Sequence, residues 1–125
     1  MQSAYNQYNQ SKTQIESPER LIEMLYEGVL RFCGQAINAI ENEDYEKRTY
    51  WINRVNSIFT ELLNSLNYDD GGEVSHYLSG LYLQQMKNLY NANAENDKQK
   101  LQEVVSVTRG LLEAWREQVC QVKTG

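Results

Sequence analysis

Proline occurs once and glycine seven times in 125 residues, too few turn-formers for a sandwich or barrel of many short strands. Histidine occurs once and cysteine twice. Two thiols as far apart as Cys33 and Cys120 make no zinc pattern, and Cys33 falls on an apolar helical face as a small core residue. No apolar run approaches the ~18 residues of a membrane-spanning helix, so no membrane insertion is expected. The opening residues, Met-Gln-Ser-Ala-Tyr-Asn-Gln, hold neither a basic cluster nor an apolar stretch. No secretory signal is visible there, and a soluble cytoplasmic protein is expected. Basic side chains are the minority, 12 against 17 acidic, for a net charge of −5. They are also dispersed, whereas a nucleic-acid binder needs clustered positive charge to release counterions from phosphates. No nucleic-acid partner is expected.

What the chain does contain is helical periodicity at the length of one domain. Residues 1–16 are polar, rich in Gln and Asn, and carry Tyr5, Tyr8 and Ile15; they read as a mobile or loosely docked arm. Ser17-Pro18 is a start signal, a capping hydroxyl followed by a proline whose missing N–H costs nothing at the first helical position. From there Ile22, Leu25, Tyr26, Val29, Cys33, Ala36 and Ile40 share one face, flanked by Leu21, Phe32, Leu30 and Ile37, with Glu23, Glu27, Arg31 and Asn38 opposite. An apolar arc that wide means contact with two neighbouring helices. Asp44 caps a second segment, whose stripe is Tyr45, Ile52, Val55, Phe59, Leu62, Leu63 and Leu66. Asn67 to Gly72 reads as a turn, with Asp70 and Glu73 resembling a capping box. A third segment aligns Val74, Leu78, Leu81, Tyr82 and Leu89. Asn96 or Asp97 caps a fourth, which aligns Leu101, Val104, Thr108, Leu111, Trp115 and Val119. The expected fold is all-α, an antiparallel up-down four-helix bundle over residues 17–122. Its helices are expected at about 18–41, 44–66, 72–91 and 97–120.

No motif carries catalysis. Glu73-Val-Ser-His76 is half of the ligand set of a di-iron carboxylate bundle, but such sites need the motif twice plus a Glu from each remaining helix. With one His in the chain, a capping Glu and a surface His explain the pair. Nothing in the sequence sets His76 beside either cysteine as a base. Gly71-Gly72 and Gly80 form no phosphate-cradling loop between strand and helix. Acid pairs such as Glu41/Glu43 and Asp69/Asp70 sit at helix ends, where they cap rather than react. The chain is read as a non-enzyme without metal or cofactor.

Apolar side chains remain after four core stripes are drawn. Leu83, Met86 and Tyr90 run along the third helix away from its Leu78 stripe, and Val105 and Leu112 form a second line on the fourth. On the second helix Trp51 and Ile58 lie at the edge of the core face, and Tyr50 points nearly opposite to it. The bland reading is that these residues widen the core seams. The sharper one makes them a groove for another helix, an oligomer contact, or a seat for the Tyr5/Tyr8/Ile15 arm. Nine tyrosines suit a partly wet contact surface.

Ser17-Pro-Glu-Arg-Leu-Ile-Glu-Met-Leu-Tyr-Glu-Gly28, with Arg31-Phe32, resembles the opening signature of the flagellar secretion chaperone family, FliS. Leu66-Asn67, Gly71-Gly72-Glu73-Val74 and Leu81-Tyr82 match its second signature, and Ala92-Asn93, Asp97 and Leu111-Leu112-Glu113-Ala114-Trp115 its final helix. The similarity covers about residues 5–119 in order. It implies a cytoplasmic, non-enzymatic chaperone that holds the disordered C-terminal segment of flagellin, prevents premature polymerisation and helps delivery to the flagellar type III export gate. The family's arm lies over a cargo-binding surface and is displaced, a role the resemblance carries to Tyr5 and Tyr8. It implies flagellin and, through the cargo complex, an export-gate component as partners, leaves room for a co-chaperone, and fits a monomer or weak homodimer. The rival readings are a self-assembling bundle, or an adaptor for other export or regulatory proteins.

Overall fold

The computed structural model describes residues 17–124, with side chains to residue 120. The arm expected over residues 1–16, with Tyr5, Tyr8 and Ile15, lies outside them. The described chain is all-α: α1 (Pro18–Glu41), α2 (Tyr45–Asn64), α3 (Tyr68–Glu95) and α4 (Lys98–Thr124). The links between them, residues 42–44, 65–67 and 96–97, are too short for anything but a reversal. α1 packs against α2 and α4, and α3 against the same two, so α1 and α3 face each other across the diagonal of an up-down bundle.

The starts follow from local chemistry. Ser17, in extended conformation, accepts a hydrogen bond from the Arg20 N–H at 3.2 Å, with Pro18 next to it in the first turn. Asp44 caps α2 by accepting from Lys47 N at 3.1 Å. α3 differs from expectation: Asn67 is its cap, accepting from the N–H groups of Asp69 and Asp70 at 3.1 and 3.2 Å. The helix therefore begins before the glycine pair and kinks at Gly72, whose φ of 51° and ψ of −122° suit only glycine. Gly71 is needed for a different reason, since a Cβ there would lie 2.0 Å from Ser75 Oγ. That hydroxyl donates to the Asn67 carbonyl at 2.9 Å and closes the kink. Asn96 ends α3 in the left-handed region at φ 53°, and Asp97 Oδ1 receives Gln99 N at 3.0 Å to open α4.

The core is drawn unequally from the helices. α1 buries Leu25, Val29, Phe32 and Cys33 among others, and α2 buries Ile52, Val55, Ile58, Phe59 and Leu62. α4 contributes Leu101, Val104 and Leu112. α3 instead buries Ser75, Tyr82, Gln85, Asn88, Leu89 and Ala92. Val74 and Tyr45, expected to face inward, are 64% and 47% exposed. Val74 comes two residues after the Gly72 kink, which turns the face of the helix that follows it, and Tyr45 is the first residue of α2, at the end of the bundle.

At the bundle's centre the Tyr26 and Tyr82 hydroxyls meet at 2.6 Å across the diagonal. Burial pushes both phenols up in pKa, and the neighbouring Tyr26 adds to the effect on Tyr82. Each hydroxyl is the other's partner in a place where an unmade hydrogen bond is expensive. Tyr26→Phe should therefore cost about 1–3 kcal/mol, and adding Tyr82→Phe should restore most of it, because removing both polar ends leaves nothing unpaired. Urea midpoints of the two single variants and the double give this cycle; additive losses would show the pair to be uncoupled.

Candidate functional site

Among the described residues, the exposed large hydrophobic side chains are Tyr45, Tyr50, Tyr68, Val74, Tyr77, Leu83 and Tyr90, and all but the first two are on α3. α3 thus leaves five large apolar side chains in water, while three of the six residues it buries, Ser75, Gln85 and Asn88, are polar. This exposed apolar line, not a cleft, is the strongest surface feature of the bundle. Leu83 and Tyr90, 54% and 74% exposed, stand two helical turns apart on one face, about 10 Å along the axis. Met86 lies between them in sequence and is partly buried against the core.

The other residues expected to line a groove scatter. Trp51 and Val105 are partly buried and pack on the core. Ile58 and Leu112 do not reach the surface, at 0% and 5% exposure. Ile58 lies one turn from both Val55 and Leu62, and Leu112 one turn from Thr108, so helical geometry turns both inward. Tyr50 is exposed but belongs to the α1–α2 seam. Its ring meets Trp51 edge-on at 4.9 Å, Trp51 meets Phe32 of α1 at 5.3 Å, and the Arg54 guanidinium lies 5.0 Å over Phe32. Thr49, the preceding residue, turns the opposite way and donates to Asn93 of α3 at 2.9 Å. Leu83 and Tyr90 therefore form one surface and Tyr50 another. Beside Trp51 opens a polar cleft of about 340 Å³ lined by Gln35, Asn38, Asn42 and Lys47.

A second seam escaped the sequence reading. Glu23 and Glu27, on the outer arc of α1, reach sideways to α4: Arg116 donates to Glu23 at 2.5 Å and to Glu27 at 2.8 Å. Arg20 also bonds Glu23, at 2.5 Å. Trp115 Nε1 donates to the Glu19 carbonyl at 2.9 Å. The spacing of Arg20, Glu23 and Glu27 was the available signal, since i, i+3 and i, i+4 charges share a face; the partner on α4 had none. A cleft of about 300 Å³ lies here between Ser17, Arg20, Trp115 and Val119.

The titratable groups offer little reactive chemistry. Cys33 is fully buried and its thiol is pushed up to about 12 by desolvation, so it is not a nucleophile. His76 is exposed, with its ring 4.8 Å from that of Tyr68. Among the described residues no group of three His, Cys, Asp or Glu could hold a metal ion, and no helix is long and apolar enough to cross a membrane.

The family model described as "Flagellar protein FliS" matches residues 1–122. The chain belongs to the FliS family. It is 58% identical over 114 residues to the flagellar secretion chaperone FliS of Campylobacter jejuni subsp. jejuni, covering 91% of this chain and 89% of that protein. The Bacillus subtilis FliS is 31% identical over 119 residues, with 95% and 88% covered. The Salmonella typhimurium FliS is 32% identical over 116 residues, with 91% and 86% covered. The FliS match begins at residue 1, ahead of the described bundle, and extends almost to the end of the chain.

The Arg116 bonds, with help from Arg20, hold the Glu23 carboxyl below the usual glutamate range against the opposing effect of burial. A carboxyl lowered on folding stabilises the fold above its unfolded pKa, and the contribution disappears as pH falls through the folded value. The stability difference between the native chain and Glu23→Gln should be complete above pH ~5, start to shrink near ~4.3, and vanish at lower pH. Urea unfolding of both proteins across this range measures it; a difference independent of pH would remove the carboxylate as its source.

Proposed function

We propose that this FliS-family chain is a cytoplasmic export chaperone, without catalytic or cofactor chemistry, whose cargo is the disordered C-terminal segment of flagellin. The observation that carries the reading is the apolar outer face of α3, in a chain related along nearly its whole length to flagellar secretion chaperones. A disordered segment spends several kcal/mol on becoming ordered, so it needs a long apolar surface to offset that cost. Leu83 and Tyr90, aligned along α3 and both exposed, supply the start of such a surface. A cargo helix laid along them would bury its own apolar stripe, and that stripe could not pack on other flagellin subunits while held. Premature polymerisation is then blocked by occupancy alone. Release needs no nucleotide; it follows from handover to a component of the flagellar type III export gate.

Tyr5, Tyr8 and Ile15 enter the proposal as a competing segment: the arm occupies part of the cargo surface and yields it on binding. Met86 supports the Leu83–Tyr90 line from below, and Tyr50 with Trp51 offers a second aromatic contact on the α1–α2 seam, where a long cargo wrapping round the bundle would pass. The complex is expected to be 1:1, formed from a monomer or weak homodimer.

Titration calorimetry with a peptide covering the last ~40 residues of the same organism's flagellin should show 1:1 binding with a large negative heat-capacity change. Leu83→Glu with Tyr90→Glu should weaken it by roughly tenfold or more while leaving far-ultraviolet helicity unchanged. Normal binding by that double variant would remove the α3 face from the site. Deleting residues 1–16 should tighten binding if the arm competes; an unchanged affinity would discard the arm's role.

A further inference from the structure

The cleft of about 300 Å³ between α1 and α4 opens where the chain enters the bundle, since Ser17, the cap of α1, is among the residues that line it. Its charged side chains are committed to one another: Arg20 and Arg116 both bond Glu23. What it offers an entering side chain is apolar, Trp115 and Val119, both partly buried, with Cys120 beside them. The Trp115 indole cannot turn to close the gap without giving up its bond to the Glu19 carbonyl at 2.9 Å. One aliphatic side chain seated there would take these apolar walls out of water.

Chain length selects the side chain. Ile15 precedes Ser17 by two residues, so it lies within about 7 Å of the cleft's edge by any path of the backbone. It is the only Ile, Leu or Val in residues 1–16. The exposed side of α3 is beyond its reach. α1 and α3 sit on a diagonal, which separates their axes by roughly 13 Å and puts the outer face of α3 roughly 5 Å further. Tyr8 and Tyr5 stand seven and ten residues before Ile15 and can span roughly 24 and 34 Å, enough to go round the end of the bundle to α3.

We propose that Ile15 seats in the α1–α4 cleft against Trp115 and Val119 and roots the N-terminal arm there, leaving Tyr5 and Tyr8 as a tip that alone reaches α3. The cleft and the outer face of α3 are on opposite sides of the bundle, so the root stays in place while a guest helix occupies α3. A seated root also keeps the tip at a high effective concentration beside α3, and the tip covers that face again as soon as the guest leaves. The tip clause rests on the chaperone reading; the root does not.

Ile15→Cys in the full chain tests the root, because Cys120 lines the same cleft and is in no disulfide. Under oxidised glutathione the variant should form an intramolecular disulfide to Cys120, read by non-reducing gel and peptide mass, at least about tenfold faster than Ser3→Cys does. Cys33 is buried and takes no part. No disulfide, or equal rates for the two variants, would overturn the root. A second variant needs no thiol. Trypsin must have the residues around Lys12 extended and accessible, so Ile15→Asp should speed cleavage there by about fivefold in the folded chain but not in a free peptide of residues 1–17. An unchanged rate in the folded chain would overturn the root as well. For the tip, the disulfide-closed Ile15→Cys chain should bind the flagellin peptide with the native affinity to within about twofold, and a loss of about tenfold or more would overturn the division of the arm into root and tip. A native chain that does not bind the peptide removes the tip clause together with the chaperone reading, while the root is decided by the disulfide and by trypsin.

Discussion

A helix that buries three polar side chains and leaves five large apolar ones in water sets the terms for the rest of this bundle. α3 stays on the core through Tyr82, Leu89 and Ala92, with Leu78 and Met86 packed beside them and the diagonal bond to Tyr26, whereas Ser75, Gln85 and Asn88 bond, among the described residues, only within residues 67–88. Burying an amide that is only partly satisfied stabilises little or nothing, so Gln85 and Asn88 add little at positions where α2 offers five apolar side chains. Leu83 and Tyr90 are left more than half exposed on its outer side. A protein that keeps such residues in water retains them for an external contact or tolerates them at a cost in solubility. The family to which this chain belongs makes the first the natural reading.

α1 is the helix most firmly tied to its neighbours. It is clamped on both sides by chemistry that does not depend on α3. Toward α2 the clamp is aromatic, Phe32 on Trp51 under the Arg54 guanidinium. Toward α4 it is ionic, Glu23 and Glu27 on Arg116, with the Trp115 indole bonded to the Glu19 carbonyl. Ion pairs this exposed contribute modestly one by one. Their value is positional, since one guanidinium spanning two carboxylates on successive turns fixes the register of α4 against α1.

The bundle itself was legible because hydrophobic periodicity is a local property: Leu25, Val29 and Cys33 on α1 and Val55, Phe59 and Leu62 on α2 announce their face without reference to a partner. The caps Ser17 and Asp44 were legible for the same reason. The start of α3 was not, because a glycine pair reads as a terminus whether the chain stops there or only kinks. The candidate surface was half legible. Leu83 and Tyr90 stand off any core stripe, but Ile58 and Leu112 were misjudged as surface because the width of a buried arc depends on how closely the neighbours approach. Gln85 and Asn88 mislead in the other direction: a polar residue at an inward position looks like a break in the stripe, and only the packed bundle shows that the helix continues inward through them.

The distribution of indoles has an optical consequence. The chain has two tryptophans. Trp51 rests on Phe32 and Trp115 bonds to Glu19, so both chromophores report the walls of α1. Neither belongs to α3, whose own chromophores are phenols: Tyr68, Tyr77, Tyr82 and Tyr90. Emission excited at the red edge, where only indole absorbs, will follow the clamped half of the molecule. Its spectrum reports α1 with its neighbours α2 and α4, and a change confined to the outer face of α3 leaves it native.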